Sequence, residues 1–329
     1  MSGNSAFSKV PGELSAAGNR ARVRLGVDVS EHDYVVALAG NPNTGKSTIF
    51  NALTGLRQHT GNWPGKTVTR AEGGFVHCDR CYKLVDLPGT YSLLSTSIDE
   101  EIARNFILFG RPAVTVIVVD ATRLERNLNL ALQVLEITDR VVVCLNLMDE
   151  AERHGQEIDA ERLSEELGVP VVATAARFGK GIDRLLDAID ETATGRRTNR
   201  PHRFVEVRGV QEAVNLIERK IRDLYPELPN VRWIALRLLD GDQQIIDSMI
   251  SGEISGLVRL QLNEETPQVG TAEAATVRKI LDLAEKSRFE IGPDFQDRLM
   301  EALYADAARI AGGVVRTTGA GSHQRFEQK

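Results

Sequence analysis

The octapeptide Gly40-Asn41-Pro42-Asn43-Thr44-Gly45-Lys46-Ser47 constrains this chain more than any other stretch. It fits G-x-x-x-x-G-K-[ST], follows the apolar run YVVALAG and opens the helical run STIFNALTGL, so it reads as a phosphate loop between a strand and a helix. Glycines let consecutive N–H groups close around phosphate oxygens, and the helix N-terminus adds a favourable dipole. On this reading Gly40, Asn41, Asn43, Thr44, Gly45, Lys46, Ser47 and Thr48 surround the phosphates. Lys46 reaches the β and γ groups and the Ser47 hydroxyl ligates Mg²⁺.

Two later motifs extend the site. In LVDLPG, Asp86 ends a strand and is followed by Gly89, so the carboxylate can hold Mg²⁺ through water and the glycine amide can sense the γ-phosphate. Between the loop and this motif, RQHTGNWPGKTVTR is punctuated by Gly and Pro like a segment that reorders with nucleotide state. Thr67 is the choice for its Mg²⁺-reaching threonine, with Thr69 as the rival. Asn146 to Asp149, NLMD, follows the apolar strand RVVVCL; an ionised aspartate there accepts two hydrogen bonds that guanine offers together and adenine does not. The nucleotide is therefore GTP or GDP rather than ATP, and an unpaired buried carboxylate would reject the wrong base. Thr174, Ala175 and Ala176 form the third base contact, with the Ala176 amide meeting the guanine oxygen and Ala175 standing where serine is usual.

The apolar runs YVVALAG, KLVDLPG, VTVIVVDA, RVVVCLN and VPVVATA alternate with helical stretches, which predicts a doubly wound, mostly parallel α/β sheet. Residues 1–33 read as a flexible extension, 34–195 as the nucleotide-binding G domain, and 196–204 as a linker. Beyond it, Val210, Val214, Ile217, Ile221 and Leu224 share a helical face that Pro226 and Pro229 end. Further helices are expected over 231–239, 242–259, 271–287 and 293–311, so 205–312 reads as a small helical domain and 313–329 as a tail without a core pattern. The net charge of −6 and the pI near 5.7 argue against broad nucleic-acid binding. No run approaches the about 18 apolar residues of a membrane span, no secretory signal opens the chain, and three cysteines are too few for a disulfide framework. The sequence as it stands reads as soluble and cytosolic.

Taken together, GNPNTGKSTIFNALTG, QHTGNWPGKTV, VDLPGTYSL and NLMD resemble the cytosolic region of the bacterial ferrous iron transport protein B family, with Gly61-Asn62-Trp63-Pro64-Gly65 the discriminating segment. The likeness covers about 34–312, where the helices including RWIALRLLDGD resemble the family's nucleotide-release-modulating domain. It implies a P-loop, Ras-like GTPase domain followed by an all-helical domain. The implied role is regulatory, on the cytoplasmic face of the inner membrane, with nucleotide state coupled to Fe²⁺ uptake. The implied partners are GTP and GDP, a membrane domain of the same polypeptide beyond the tail, and small accessory iron-transport proteins. An asparagine at the position of Asn43 is associated in the family with potassium-stimulated hydrolysis; the alternative is that Asn43 bonds only within its loop.

Thr90 occupies the place after D-x-x-G where Ras-like GTPases carry glutamine, so slow turnover is expected, with Lys46, Thr67 and Gly89 as the catalytic set. Tyr91 and Ser92 are the other candidates for orienting water. Two further readings stand beside the transporter: a free-standing ribosome-assembly or RNA-modification GTPase, and a nucleotide-gated binding switch with negligible turnover. Cys78 and Cys81 in HCDRC, with Asp79 and Arg80 as turn residues, would flank a hairpin, and are read as ordinary cysteines rather than a metal site. His154 and His202 are read as solvated, Trp233 as buried in a helix, and Trp63 as docking on a partner or covering the nucleotide site. The sequence fixes no oligomeric state.

Overall fold

Short β-branched runs with apolar residues on both faces become central strands, because helices can cover both sides of them. The computed structural model describes residues 32–56, 58–94, 97–203, 210–226, 228, 230–254 and 271–317. Its main sheet takes the order β2-β3-β4-β1-β5-β6-β8. The parallel members are β1 (Tyr34–Gly40), β4 (Arg80–Asp86), β5 (Val114–Asp120), β6 (Val141–Asn146) and β8 (Val171–Ala173). β2 (Gln58–Asn62) and β3 (Thr69–His77) add an antiparallel edge. Every residue of β1, β5 and β6 is buried.

Alternation along β1 divides the core. Val36 and Leu38 pack with Ile49 and Phe50 of α1 (Lys46–Thr54) and with Leu185 and Ile189 of a later helix, Ile182–Ala193. Val35 and Ala37 face the opposite layer, with Phe106, which follows α2 (Ile98–Asn105), and Leu128 and Leu132 of α3 (Leu124–Ile137). That second cluster continues without a break into Ile217, Trp233 and Leu303 of the helical domain. After β6 come α4 (Met148–Arg153), β7 (Gln156–Ile158) and α5 (Ala160–Leu167), and the helix packed on β1 is α6. The helical domain comprises α7 (Val210–Leu224), α8 (Val231–Asp240), α9 (Gln243–Ile250), α10 (Thr271–Ile291) and α11 (Phe295–Val314). Val210, Val214, Ile217 and Ile221 are buried as their spacing predicts. The helix expected over 242–259 ends at Ile250 within the described residues; 255–259 lie outside them, as do 1–31, 204–209 and 318–329.

Four expectations are corrected. The tail from 313 does contribute structure: α11 runs to Val314, and β9 (Val315–Thr317) pairs antiparallel with β7, Ile158 opposite Val315 and Gln156 opposite Thr317. Three residues are too short to show alternation, and this pairing is set by tertiary contact. Trp63, in the segment expected to reorder with nucleotide state, is 3% exposed rather than displayed, because Phe106 from a distant helix covers it; Gln58–Asn62 of the same segment form the edge strand β2. The hairpin turn lies one residue earlier than expected. Cys78 (φ 48°) and Asp79 (φ 59°) occupy it, His77 pairs with Arg80, and Cys81 sits on β4 opposite Val76, so the cysteines do not flank the turn. His202 is bonded to the buried carboxylate of Asp306 rather than merely solvated, whereas His154 is exposed.

Candidate functional site

The carboxyl ends of parallel strands leave a crevice where helices begin, and the motif residues gather there. Gly40 ends β1, Asp86 ends β4 and Asn146 ends β6, while Thr174 follows β8. The loop leaving β1 passes so close to β5 that a Cβ on Gly40 would lie 2.7 Å from the Val118 carbonyl. Asn43 and Gly45 take left-handed backbone, φ 66° and 81°, and Gly45 leads directly into α1. Thr44 Oγ1 donates to the Asn41 carbonyl at 3.0 Å, closing the loop on itself. Asn43, Ser47 and Thr48 face solvent, while Asn41 and Thr44 are buried.

One buried amide joins three of the motifs. Asn146, 1% exposed, donates from Nδ2 to the Thr44 carbonyl at 3.0 Å. Its Oδ1 accepts from Thr174 Oγ1 at 3.1 Å and from the Ala176 amide at 3.2 Å. The Ala176 amide, expected at the base, is therefore engaged by Asn146 in this structure. A Cβ on Gly45 would sit 2.4 Å from Asn146 Nδ2, so glycine is required both by backbone and by the approach of this side chain. Ala175 donates its amide to the Lys180 carbonyl at 3.1 Å, which fixes the loop over Thr174–Ala176. Leu147 turns the chain with φ 64°, placing Asp149 in the first turn of α4, where Arg153 bonds its carboxylate at 3.2 Å.

On the other side of the loop, Lys46 forms an ion pair with Asp86 and donates to the Leu87 carbonyl at 2.8 Å. Burial pushes the Asp86 carboxyl above its usual range, with Lys46 pulling the other way. Gly89 abuts Pro42, to which its Cβ would come at 3.5 Å, and the Thr90 amide donates to the Gly40 carbonyl at 3.3 Å. Thr90 is 4% exposed and its hydroxyl donates to the Ser92 carbonyl at 2.7 Å. Ser92 Oγ bonds Gln133, and the half-exposed Tyr91 ring carries the Arg126 guanidinium 4.5 Å from its centroid. Thr67 and Thr69 are exposed at the turn and at the start of β3, and no hydrogen bond joins Thr67 to Lys46, Ser47 or Asp86.

Several residues around the site were not singled out from the sequence. Gln133 of α3 accepts from the Leu93 amide at 2.8 Å, and Arg237 of α8 donates to the Leu94 carbonyl at 3.2 Å, so the segment after Gly89 is held by both domains. Asp120, ending β5, accepts from the Thr122 amide and hydroxyl at 2.8 and 2.7 Å; a strand-terminal acid before Ala-Thr was the available clue.

A phosphate-type loop, a strand-end aspartate and a buried asparagine at the carboxyl edge of a doubly wound sheet define a P-loop GTPase domain, here followed by a helical domain. The chain belongs to the ferrous iron transport protein B family. The family model of that description matches residues 34–189, and that of the FeoB cytosolic helical domain matches residues 208–316. The Fe(2+) transporter FeoB of Escherichia coli strain K12 is 40% identical over 276 residues, covering 79% of this chain and 35% of the relative. That of Salmonella typhimurium is 40% identical over 271 residues, covering 77% and 34%. The chain thus spans about a third of the length of the curated relatives it matches. Among solved structures, the cytosolic domain of the T. maritima FeoB iron transporter in a GDP form has a TM-score of 0.66 at 31% identity, covering 86% of this chain and 99% of that one. Its GMPPNP form scores the same, with the same coverage. The cytosolic domain of L. pneumophila FeoB scores 0.66 at 30% identity, covering 86% and 99%.

Proposed function

We propose that this chain is the GTP-binding and slowly GTP-hydrolysing regulatory region of a ferrous iron uptake transporter, acting at the cytoplasmic face of the bacterial inner membrane. The observation that carries the reading is Asn146, whose single amide ties the phosphate loop at Thr44 to the base-side loop at Thr174 and Ala176. Phosphate and base contacts are thereby built as one unit. In the proposed site Gly40 to Thr48 surround the phosphates, and Asn146, Asp149 and Thr174–Ala176 hold guanine. The longer relatives are named as Fe(2+) transporters, and nucleotide state in this region would act on a membrane domain of the same polypeptide, with small accessory proteins as further partners. No helix among the described residues is long and apolar enough to cross a membrane. Proposed boundaries are 34–195 for the G domain, 196–204 for the linker and 205–312 for the helical domain, which β9 extends to Thr317 by its return to β7.

Ser47 and Asp86 offer the hard oxygen donors that Mg²⁺ prefers, and the upward push that burial gives the Asp86 carboxyl is the environment a divalent cation relieves. Thr67 would join them in the triphosphate state, and Mg²⁺ held there would supply charge neutralisation to the phosphates. Lys46 would contribute a positive charge there, and Gly89 abuts the phosphate loop at Pro42. Thr90 is turned inward to Ser92, so it offers no hydroxyl to an attacking water, which supports slow intrinsic turnover. Asn43 is exposed on the phosphate loop with an amide oxygen suited to K⁺, the proposed second cation.

Steady-state GTP hydrolysis in potassium against sodium buffer, with ATP as competitor, tests this reading. GTP turnover is expected to be about tenfold faster in potassium, a change of ~1.4 kcal/mol in barrier, and Asn43→Ala is expected to remove that difference while GDP binding persists. Equal rates in both salts would take Asn43 out of the mechanism. Turnover of ATP at the same rate would overturn the guanine assignment.

A further inference from the structure

The turn between β2 and β3 has two sides of opposite exposure. Asn62, Pro64, Gly65 and Thr67 face solvent, whereas Trp63 is 3% exposed. Its indole stands edge-on to Phe106, with centroids 5.5 Å apart at 71°, and the Arg70 guanidinium lies 5.4 Å from its ring centre. The Trp63 amide donates to the Val68 carbonyl and the Trp63 carbonyl accepts from the Lys66 amide, both at 3.0 Å. Trp63 therefore closes the loop that carries Thr67. Lys66 adds a second tie, to Glu101 of α2 at 3.2 Å.

The seat of the indole is as informative as its burial. Phe106 opens a π-helical turn, Phe106–Gly110, that continues α2, and α2 follows directly on the segment after Gly89. A local π-type widening of a helix is a feature that recurs at functional positions. The Trp63 Nε1 is buried there and meets no acceptor among the described residues. A buried indole N–H ordinarily finds a partner, and an unpaired one disfavours the docked arrangement that buries it.

We propose that Trp63 is the positioning residue for Thr67: seated on Phe106 it sets the 63–68 loop in one arrangement, and it moves on that seat when Thr67 engages the triphosphate site. The inference rests on the reading of Thr67 given above. It places one side chain in charge of coupling the loop before β3 to the helix after Gly89, the two segments that flank the γ-phosphate position.

The chain contains two tryptophans, so Trp233→Phe leaves Trp63 as the single emitter. In that background, with Mg²⁺ present, the emission maximum is expected to shift to longer wavelength with GMPPNP and not with GDP, and Thr67→Ala is expected to abolish the shift. Identical emission in both nucleotides would overturn the proposal. In the unaltered background, Trp63→Ala is expected to slow turnover by about tenfold to a hundredfold, as for a misplaced positioning group, while GDP affinity stays within about threefold. Trp63→Phe is expected to restore most of the turnover. A parallel fall of turnover, GDP affinity and melting temperature would show a packing role only and sink the proposal; if Trp63→Ala does not fold, the emission experiment and Trp63→Phe decide. Thr67→Ala with unchanged turnover would refute the Thr67 reading itself, whereas slow Thr67→Ala with a Trp63 signal blind to nucleotide would refute only the coupling.

Discussion

Asp149→Asn is expected to exchange the base this site prefers, weakening GDP by a factor of about 10⁴ and strengthening the binding of xanthosine diphosphate. A carboxylate accepts from both the N1–H and the exocyclic amine of guanine, whereas an amide presents one acceptor and one donor. Facing guanine, the new NH₂ opposes another donor; facing xanthine, it meets a carbonyl. In the structure Asp149 gives up only a bond to Arg153, a residue whose side chain is 66% exposed, so stability is expected to change little. Titration of labelled GDP and XDP against the variant, with a melting curve alongside, separates the two effects. Unchanged GDP affinity would remove Asp149 from base recognition.

Asp242→Ala carries the second large effect, on stability. Its Oδ2 receives Arg104 at 2.9 Å and Arg237 through Nε at 3.0 Å and a terminal nitrogen at 2.8 Å, while Oδ1 caps α9 at the amides of Gln244 and Ile245. Arg104, which also bonds Gln244, has a fully buried side chain, and that of Arg237 is 7% exposed. Removing the carboxylate leaves the buried Arg104 without the carboxylate it pairs with and Arg237 with Asp240 alone, which costs about 3–5 kcal/mol. For a chain of this size that is a fall of roughly 10 °C in melting temperature, read by calorimetry. A fall under about 2 °C would show that the cluster does not hold the domains together.

The same carboxylate sets a pH dependence. Burial opposes its charge, but Arg237 and Arg104 together hold the Asp242 carboxyl below its ordinary value of 3.8. A depressed folded pKa gives stability that is present above 3.8 and is lost as pH falls through the folded value. The unaltered protein should lose that contribution on acidification below about pH 4, and Asp242→Asn should lack it.

What could be read along the chain was what lies contiguous in it. The phosphate loop, Asp86 and Gly89, and Asn146 to Asp149 each sit at the end of an apolar run, so strand, turn and site residue fall within one short window. The central strands were legible for the same reason. What escaped depends on partners far off: Trp63 looks like a loop aromatic until Phe106 arrives from beyond α2, and Arg104 meets Asp242 only across the domain junction. The hairpin turn was displaced by one residue because Cys78 and Asp79 both take left-handed backbone, which Asp tolerates but nothing in the local sequence signals for Cys78, and the His77–Arg80 pairing fixes the register. Thr67 was placed by motif, and the structure leaves it exposed in the loop that Trp63 closes.

The pairing of β9 with β7 gives the helical domain the mechanics of a handle. Its entry is fastened where Asn199 bonds the Asp139 and Val141 carbonyls and Arg200 bonds Gly168, and its exit where Val315–Thr317 lies on β7, on the two sides of α5. Thr317 is the last rung and stands opposite Gln156, the end of β7 nearest α4. Tension applied at Thr317 would therefore enter beside the short helix that begins with Met148 and Asp149, on the G-domain side of the bundle.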